Sequence, residues 1–126
     1  MKRIINTNKA PAAVGPYSQA VEVNNTLYIS GQIPVDPETG KFVSDTDVKE
    51  QAKQALKNIG QILDAAGYSF NDVVKSTVLL KNISDFATVN EVYATFYTES
   101  LPARAAFEVA NLPLGALVEI ETIAAK

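Results

Sequence analysis

The chain has 126 residues, of which 47% are hydrophobic, and a formal net charge of −3 at pH 7. This length predicts one domain, residues 1–126, with a sizeable buried core, and the acidic balance argues against a dedicated nucleic-acid binder. The sequence lacks cysteine and histidine, which excludes disulfides, thiol nucleophiles and the common zinc sites. We therefore expect no bound metal and no cofactor.

The sequence shows no sign of export or membrane insertion. The N-terminal stretch MKRIINTNKAPAA has no apolar region of the kind that signal peptides carry. No apolar run approaches the roughly 18 residues that are needed to cross a bilayer. We expect a cytoplasmic protein.

The first third of the chain predicts short strands and turns. Asn24 and Asn25 mark a hairpin turn, because asparagine tolerates the positive φ of such turns. Alternation along the second strand of this hairpin places Gly31 on the face of Leu27 and Gln32 on the opposite face. The predicted elements are a strand at 2–6, an irregular Pro/Gly loop at 10–16, hairpin strands at 20–23 and 26–30, and a loop at 33–43.

The clearest element is an amphipathic helix that begins after Asp47. Asp47 and Glu50 have the spacing of a capping box, and Gly67 is a typical C-terminal stop. Between them, apolar residues recur at steps of three and four, which predicts one buried face. These residues are Val48, Ala52, Ala55, Leu56, Ile59, Ile62, Leu63 and Ala66.

The second half of the chain predicts another helix and three strands. The helix is expected to begin at Ser84 or Asp85 and to end near Tyr97. Its predicted buried face consists of Phe86, Val89, Tyr93, Phe96 and Tyr97. The strands are predicted at 74–80, from Arg104 onward, and at 116–124, with a turn at 111–115 before the last.

The element order β-β-β-α-β-α-β-β predicts an α+β fold. In this fold, two helices cover one face of a six-stranded mixed sheet. The other face is expected to present Tyr28, Thr77, Leu79 and Val118 to solvent. We therefore expect an oligomer that covers this face.

Arg104 is the strongest single indication of a binding site. It follows Pro102-Ala103, begins a predicted strand and has only small residues beside it. A guanidinium with free space next to it suits a bound carboxylate, because its planar fork can contact both oxygens.

Several other polar residues lie where the patterns predict apolar ones or loops. Asn90 falls within the apolar stripe of the second helix, either as a buried amide bonded to nearby backbone or as a wall of a site. Glu119 and Glu121 share one face of the last strand, either as solvated edge residues or with one of them meeting Arg104 as an acid–base group.

Tyr17 and the Ser30-Gly31 pair also allow two interpretations. Tyr17 follows a Gly-Pro loop and is either an aromatic cover on the edge of the core or a phenol above a pocket. Ser30-Gly31 is either an ordinary strand end or a hydroxyl and a backbone N–H that face a ligand. A serine without a nearby base in sequence is a weak nucleophile.

Six segments carry motifs that occur together in one family. They are GPYSQA (15–20), ISGQIPVDPETG (29–40), QALKNIGQILDAAG (54–67), DFATVNEVYATF (85–96), PARAAFEVANLP (102–113) and VEIETIA (118–124). The chain resembles the RidA/YjgF/UK114 family of reactive-intermediate deaminases over nearly its whole length. The P-A-R motif followed by V-E-I-E is the most specific part of this resemblance.

The resemblance implies both an architecture and a reaction. It implies a chorismate-mutase-like domain that assembles as a homotrimer, with an inner barrel of sheets and ligand clefts between subunits. It implies hydrolysis of 2-iminopropanoate and 2-iminobutanoate, the tautomers of 2-aminoacrylate and 2-aminocrotonate. The products are pyruvate or 2-oxobutanoate, together with ammonia.

The resemblance also implies roles for individual residues. Arg104 would hold the substrate carboxylate. As a mechanistic hypothesis for this cleft, the Gly31 N–H would make a second contact and Glu119 would orient water and move protons. Tyr17 would close the cleft, and Asn90 of the adjacent subunit would support its far wall. The matched cleft positions are Tyr17, Ser30, Gly31, Asn90, Arg104 and Glu119. The chain departs from many members at Ala106, a further expected substrate-binding position, where they have cysteine.

Two other functions remain open. One is a non-catalytic regulator whose cleft binds a 2-oxo acid, including the proposals of purine-gene regulation and of translation inhibition with ribonuclease activity made within this family. The other is a chaperone-like surface. The acidic charge balance argues mildly against the ribonuclease function.

Overall fold

The computed structural model describes all 126 residues and contains eight strands and two α-helices. The strands are β1 (Arg3–Ile5), β2 (Ala20–Val23), β3 (Thr26–Gln32), β4 (Val35–Asp36), β5 (Lys41–Phe42), β6 (Val73–Leu80), β7 (Ala103–Glu108) and β8 (Val118–Ala125); the helices are α1 (Val48–Ala66) and α2 (Phe86–Phe96). Short 3₁₀ turns lie at Phe70–Asp72, Ile83–Asp85 and Pro113–Gly115.

The main sheet has six strands in the order β1-β2-β3-β8-β6-β7. Only the β6–β7 pair is parallel, and the other pairs are antiparallel. Both helices contribute to one hydrophobic core on one face of this sheet. The predicted α+β architecture is therefore confirmed.

Helix α1 forms because its apolar face and both of its ends are specified locally. The Asp47 carboxylate accepts hydrogen bonds from the backbone N–H groups of Lys49 and Glu50, at 3.0 and 3.4 Å. The reciprocal half of a capping box is absent, because the Asp47 N–H donates to the Ser44 hydroxyl instead. Gly67 ends the helix at φ 82°, which is costly for a residue with a side chain.

Helix α2 follows a 3₁₀ turn and has no side-chain cap at Asp85. Val89 and Tyr93 are buried as predicted, and so is Tyr97 just beyond the helix. Val92 is buried as well, although it was not predicted. The helix is held by this packing rather than by a strong start signal.

The β2–β3 hairpin turns at Asn24 and Asn25, whose φ angles are 50° and 58°. The predicted alternation fails near the end of β3. Residues 30 and 31 lie opposite a single position of β8, since Ile29 pairs with Thr122 and Gln32 pairs with Ile120. This bulge turns Gln32 into the core, where it is 6% exposed.

Two further predictions need correction. The stretch 33–43 is not only a loop, because β4 and β5 form a small hairpin within it. Val118 is fully buried on the helix side of the sheet, not on the open face. Tyr28 is 48% exposed on the open face, as predicted, and Thr77 and Leu79 are half-buried there.

None of the helices combines the length and the apolar composition that are needed to span a membrane.

Candidate functional site

Arg104 lies on β7, which is an edge strand of the main sheet. Its Cα partner on β6 is Ser76, which is fully buried on the helix side. Because directly paired residues point to the same face, Arg104 also points to the helix side. The register thus places its guanidinium against α2 at the rim of the sheet.

Three neutral side chains of α2 surround the guanidinium. Arg104 Nη1 donates a hydrogen bond of 2.7 Å to the Asn90 amide oxygen. The Arg104 Cζ lies 4.8 Å from the ring centroid of Tyr93 and 5.3 Å from that of Phe86, within the range of cation–π attraction.

No carboxylate pairs with Arg104. The chain has two ion pairs, Arg3–Glu22 and Lys53–Glu50, and neither includes this residue. Its positive charge is therefore fixed in position but not neutralised, which suits it to an incoming anion.

Of the two interpretations of Asn90, the buried amide bonded to nearby backbone is wrong. Asn90 is exposed, and its oxygen contacts the Arg104 side chain rather than nearby backbone. The apolar stripe of α2 continues past the rim of the sheet, so this position has no core above it. Asn90 thus belongs to the arginine's surroundings within one chain.

A depression of about 410 Å³ opens beside Arg104. It is lined by Asn90, Tyr93, Ala94, Tyr97, Leu101, Pro102 and Arg104. Ala106 lies on the same face of β7 as Arg104, two residues on, where it is half-buried against the core. Ala106 therefore packs beneath the site in this chain and leaves room around the arginine.

A second group of predicted residues gathers around the bulge of β3. Tyr17 and Gly31 line one cavity of about 270 Å³, together with Leu114. Tyr17 is 50% exposed, and its hydroxyl accepts a 3.4 Å hydrogen bond from the Val14 N–H. The structure thus places the phenol at a pocket.

Glu119 lies directly over Gly31. A Cβ added to Gly31 would lie only 2.9 Å from the Glu119 Cδ, so the close approach depends on glycine at this position. Glu119 is half-buried, and burial raises the pKa of its carboxyl, with a further contribution from the negative charge of Glu121. Such a group holds a proton more readily than an ordinary glutamate.

The Ser30 hydroxyl supports the loop that carries Tyr17. Its Oγ donates a 2.6 Å hydrogen bond to the Ser18 carbonyl, and the Ser30 N–H donates to the Gln19 carbonyl. These contacts tie the bulge to the segment that follows Tyr17. In this chain, the Ser30 proton is engaged by the protein itself.

The two groups do not meet within one chain. Glu119 pairs with Leu79 of β6, and Arg104 pairs with Ser76 of the same strand. Ser76 faces the helices, whereas Leu79 and Glu119 face the open side. The hypothesis that Glu119 or Glu121 meets Arg104 through neighbouring strands is therefore wrong, because β6 lies between β7 and β8.

Sequence reasoning missed Phe86 and Tyr93 as parts of the arginine site. Both were predicted only as members of a buried helix face. The signal that connects them is their spacing from Asn90, which is four residues after Phe86 and three before Tyr93. Positions with these spacings share one helix face.

The fold and this site define an α+β protein that presents an unpaired arginine at the rim of its sheet. The chain belongs to the Endoribonuclease L-PSP family, whose profile matches residues 7–126. This is the RidA/YjgF family that the motifs predicted.

Similar proteins cover nearly the full chain. A Mus musculus protein named 2-iminobutanoate/2-iminopropanoate deaminase is 60% identical over 124 residues, which is 98% of this chain and 91% of the mouse protein. A crystal structure of a Thermotoga maritima protein, described as a putative endoribonuclease, superposes with a TM-score of 0.97 at 48% identity, and it covers 100% of this chain and 98% of the other. The crystal structure of E. coli TdcF with bound serine gives a TM-score of 0.94 at 43% identity, with 98% of both chains covered.

Proposed function

We propose that this protein hydrolyses 2-imino acids, 2-iminopropanoate and 2-iminobutanoate, to 2-oxo acids and ammonia. The observation that carries the proposal is the Arg104 guanidinium, which is held by neutral groups and has no carboxylate partner in the chain. A 2-imino acid supplies the missing carboxylate next to its reactive carbon. The mouse relative named as a deaminase of these two imines supports this substrate class.

We propose that the complete site forms between copies of the chain in a homotrimer. Arg104 and Glu119 point to opposite faces of one sheet, so one chain cannot direct both at a small substrate. The open face also carries exposed apolar side chains, including Tyr28 and Phe107, which a second copy would cover. Both observations support clefts that combine Arg104 of one copy with Gly31 and Glu119 of another.

In this site, binding fixes the reactive carbon before any bond changes. The substrate carboxylate binds to the Arg104 fork, and the Gly31 N–H supplies a second contact. Tyr17 covers the bound molecule from its loop. Holding the imine against a positioned water converts a bimolecular encounter into a reaction within one complex.

Glu119 then carries protons through three steps. Its carboxylate accepts a proton from water as the oxygen bonds to C2 of the protonated imine, which gives a carbinolamine. The resulting carboxylic acid returns that proton to the nitrogen. Glu119 next accepts the hydroxyl proton as the C–N bond breaks, so that the 2-oxo acid and ammonia form, and ammonia removes the last proton.

The reaction needs little more than this positioning and proton transfer. An imine already reacts with water unaided, so the barrier to be lowered is modest. Positioned acid–base help contributes about 10²–10⁴-fold in enzymes. A chain without histidine or cysteine can therefore catalyse this step with a carboxylate whose pKa is raised.

We also propose that the protein acts in the cytoplasm, as predicted from the sequence.

The test generates 2-aminoacrylate with a serine dehydratase and follows pyruvate release with and without this protein. We expect faster pyruvate release with the wild-type chain. Arg104→Lys should lose about 10²-fold or more in kcat/KM, because an ammonium cannot form the bidentate fork. Full activity of this variant would overturn the carboxylate role of Arg104.

A binding measurement separates the enzyme from a regulator. Calorimetry with 2-oxobutanoate reports occupancy of the same cleft in the absence of turnover. Binding that depends on Arg104 without any acceleration of imine hydrolysis would indicate a ligand-binding regulator instead of a deaminase.

A further inference from the structure

We infer that Phe86 and Tyr93 are positioning residues for Arg104. With Asn90 they form what we call the neutral cradle, which holds the guanidinium in place without neutralising its charge. The inference rests on the proposed function, because it concerns how Arg104 is kept available for a carboxylate.

The geometry of the cradle follows from helical spacing. Phe86, Asn90 and Tyr93 lie on one face of α2, and the Cα atoms of the two aromatic residues are about 10 Å apart along the axis. The same Arg104 Cζ is within 5.3 Å of both ring centroids. The guanidinium therefore lies between the two rings, against Asn90, which occupies the middle of the stripe.

Such a cradle fixes the Arg104 side chain while leaving its N–H donors available to a ligand. An arginine on an exposed edge strand has many rotamers, and fixing one of them before ligand binding lowers the entropic cost of binding. An acidic residue would also fix it, but that carboxylate would occupy the fork that the substrate needs. Ring faces attract the cation without taking its N–H donors.

The hydrogen bonds of Arg104 agree with this role of the two rings. A guanidinium has five N–H donors, and in this chain only one of them, on Nη1, donates to a protein group. The acceptor is the uncharged amide oxygen of Asn90. The remaining donors are free for an anion.

The contribution of the Tyr93 ring can be tested separately from that of the Tyr93 hydroxyl. Tyr93 is 7% exposed, and its hydroxyl has no hydrogen-bond partner in the chain. Its ring is held by Tyr97, with centroids 4.5 Å apart. The ring rather than the hydroxyl therefore contacts the guanidinium, and Tyr93→Phe preserves the cradle.

The first experiment compares Tyr93→Leu and Phe86→Leu with Tyr93→Phe and with Val92→Ala, a buried control on the same helix. We measure KM and kcat in the dehydratase-coupled assay and the Kd of 2-oxobutanoate by calorimetry. Each leucine variant should raise KM and Kd about three- to tenfold, with a smaller change in kcat. Tyr93→Phe should bind within about twofold of wild type, and Val92→Ala should lower Tm without changing Kd.

The second experiment is a double-mutant cycle with Arg104→Ala, which removes the cation that the rings attract. If the rings act through the arginine, Tyr93→Leu should change Kd much less in the Arg104→Ala background than in wild type. An equal loss in both backgrounds, or unchanged Kd in both leucine variants, would overturn the inference. If Arg104→Ala itself leaves binding and turnover unchanged, the failure belongs to the proposed function and not to the cradle.

Discussion

Arg104 and Glu119 lie on opposite faces of the same sheet, two strands apart and three residues out of register. Standard strand dimensions put their Cα atoms about 14 Å from each other. A 2-imino acid has only a few atoms between its carboxylate and its reactive nitrogen. The two residues can therefore serve one substrate only if they come from different copies of the chain.

This relationship predicts complementation between two inactive variants. Arg104→Ala and Glu119→Ala should each lack activity alone. When the two are unfolded, mixed in equal amounts and refolded together, random assembly of trimers restores both residues in roughly a quarter of the clefts. Pyruvate release in the coupled assay should then recover to roughly a quarter of the wild-type rate.

The control mixes each variant with itself under the same conditions and should stay inactive. If both residues act within one chain, no mixture contains an intact site. A mixture without activity that still forms trimers would therefore refute the shared cleft.

The Asn90–Arg104 contact predicts a large effect from a small change. Asn90→Asp keeps the shape of the side chain but places a carboxylate 2.7 Å from the guanidinium nitrogen, where an amide oxygen now lies. The tethered carboxylate competes with the substrate, so the Kd of 2-oxobutanoate should rise at least about tenfold.

Asn90→Ala is the matched variant for this prediction. It removes the hydrogen bond but leaves the charge of Arg104 free, so its effect on Kd should be smaller than that of Asn90→Asp. Calorimetric titration of each variant with 2-oxobutanoate gives the two Kd values to be compared. Equal binding by the two variants would show that competition for the charge does not matter.

Local signals were sufficient for some parts of this fold. The ends of α1 at Asp47 and Gly67 and the turn at Asn24-Asn25 are confirmed, because capping and positive φ depend on a few adjacent residues. Gln32 was assigned to the wrong face because a bulge inserts one extra residue in β3. The alternation of apolar and polar residues along the sequence does not reveal such an insertion.

The arrangement of the site depends on strand order, which these patterns do not encode. Nothing in the sequence of β7 or β8 shows that β6 lies between them. The position of Asn90, in the core or at a site, stayed open because a helical wheel gives the direction of a side chain but not what covers it. The structure shows that the covering group is Arg104.

The close approach of Gly31 to Glu119 predicts that Gly31→Ala inactivates the enzyme without unfolding it. The added Cβ would lie 2.9 Å from Cδ and 3.2 Å from Cγ of Glu119, so the carboxyl must move. A displacement near 1 Å can cost about 10²-fold in rate. We expect a loss of this size in kcat, with far-UV circular dichroism unchanged because a flexible side chain absorbs the clash.

The Gly31→Ala/Glu119→Ala double variant checks this cause. If the methyl group acts only by displacing the carboxyl, the double variant should bind 2-oxobutanoate with the same Kd as Glu119→Ala. A further loss of affinity in the double variant would indicate a separate role for Gly31, such as its N–H contact with the substrate.

The raised pKa of Glu119 predicts the acid limb of the pH–rate profile. In the proposed mechanism the carboxylate must be ionised to accept the proton of water, so kcat/KM should fall as the pH drops through this pKa, above the ordinary glutamate value of 4.5. Burial is the main cause of the shift and the charge of Glu121 is the second. Glu121→Gln should therefore move the acid limb to lower pH. Glu99→Gln should not move it, because Glu99 is an exposed glutamate bonded to Asn71, at the opposite end of β6 from the Leu79–Glu119 pair.

The same shift has a consequence for stability. A carboxyl whose pKa is raised on folding destabilises the folded chain once the pH rises above its unfolded value, because the ionised form is the disfavoured one. Glu119→Gln should then raise Tm at pH 7 relative to wild type, and the gain should shrink near pH 4 as the wild-type carboxyl becomes protonated. Thermal unfolding at both pH values measures this difference. A Tm gain that is equal at pH 4 and pH 7 would show that the charge of Glu119 is not its cause.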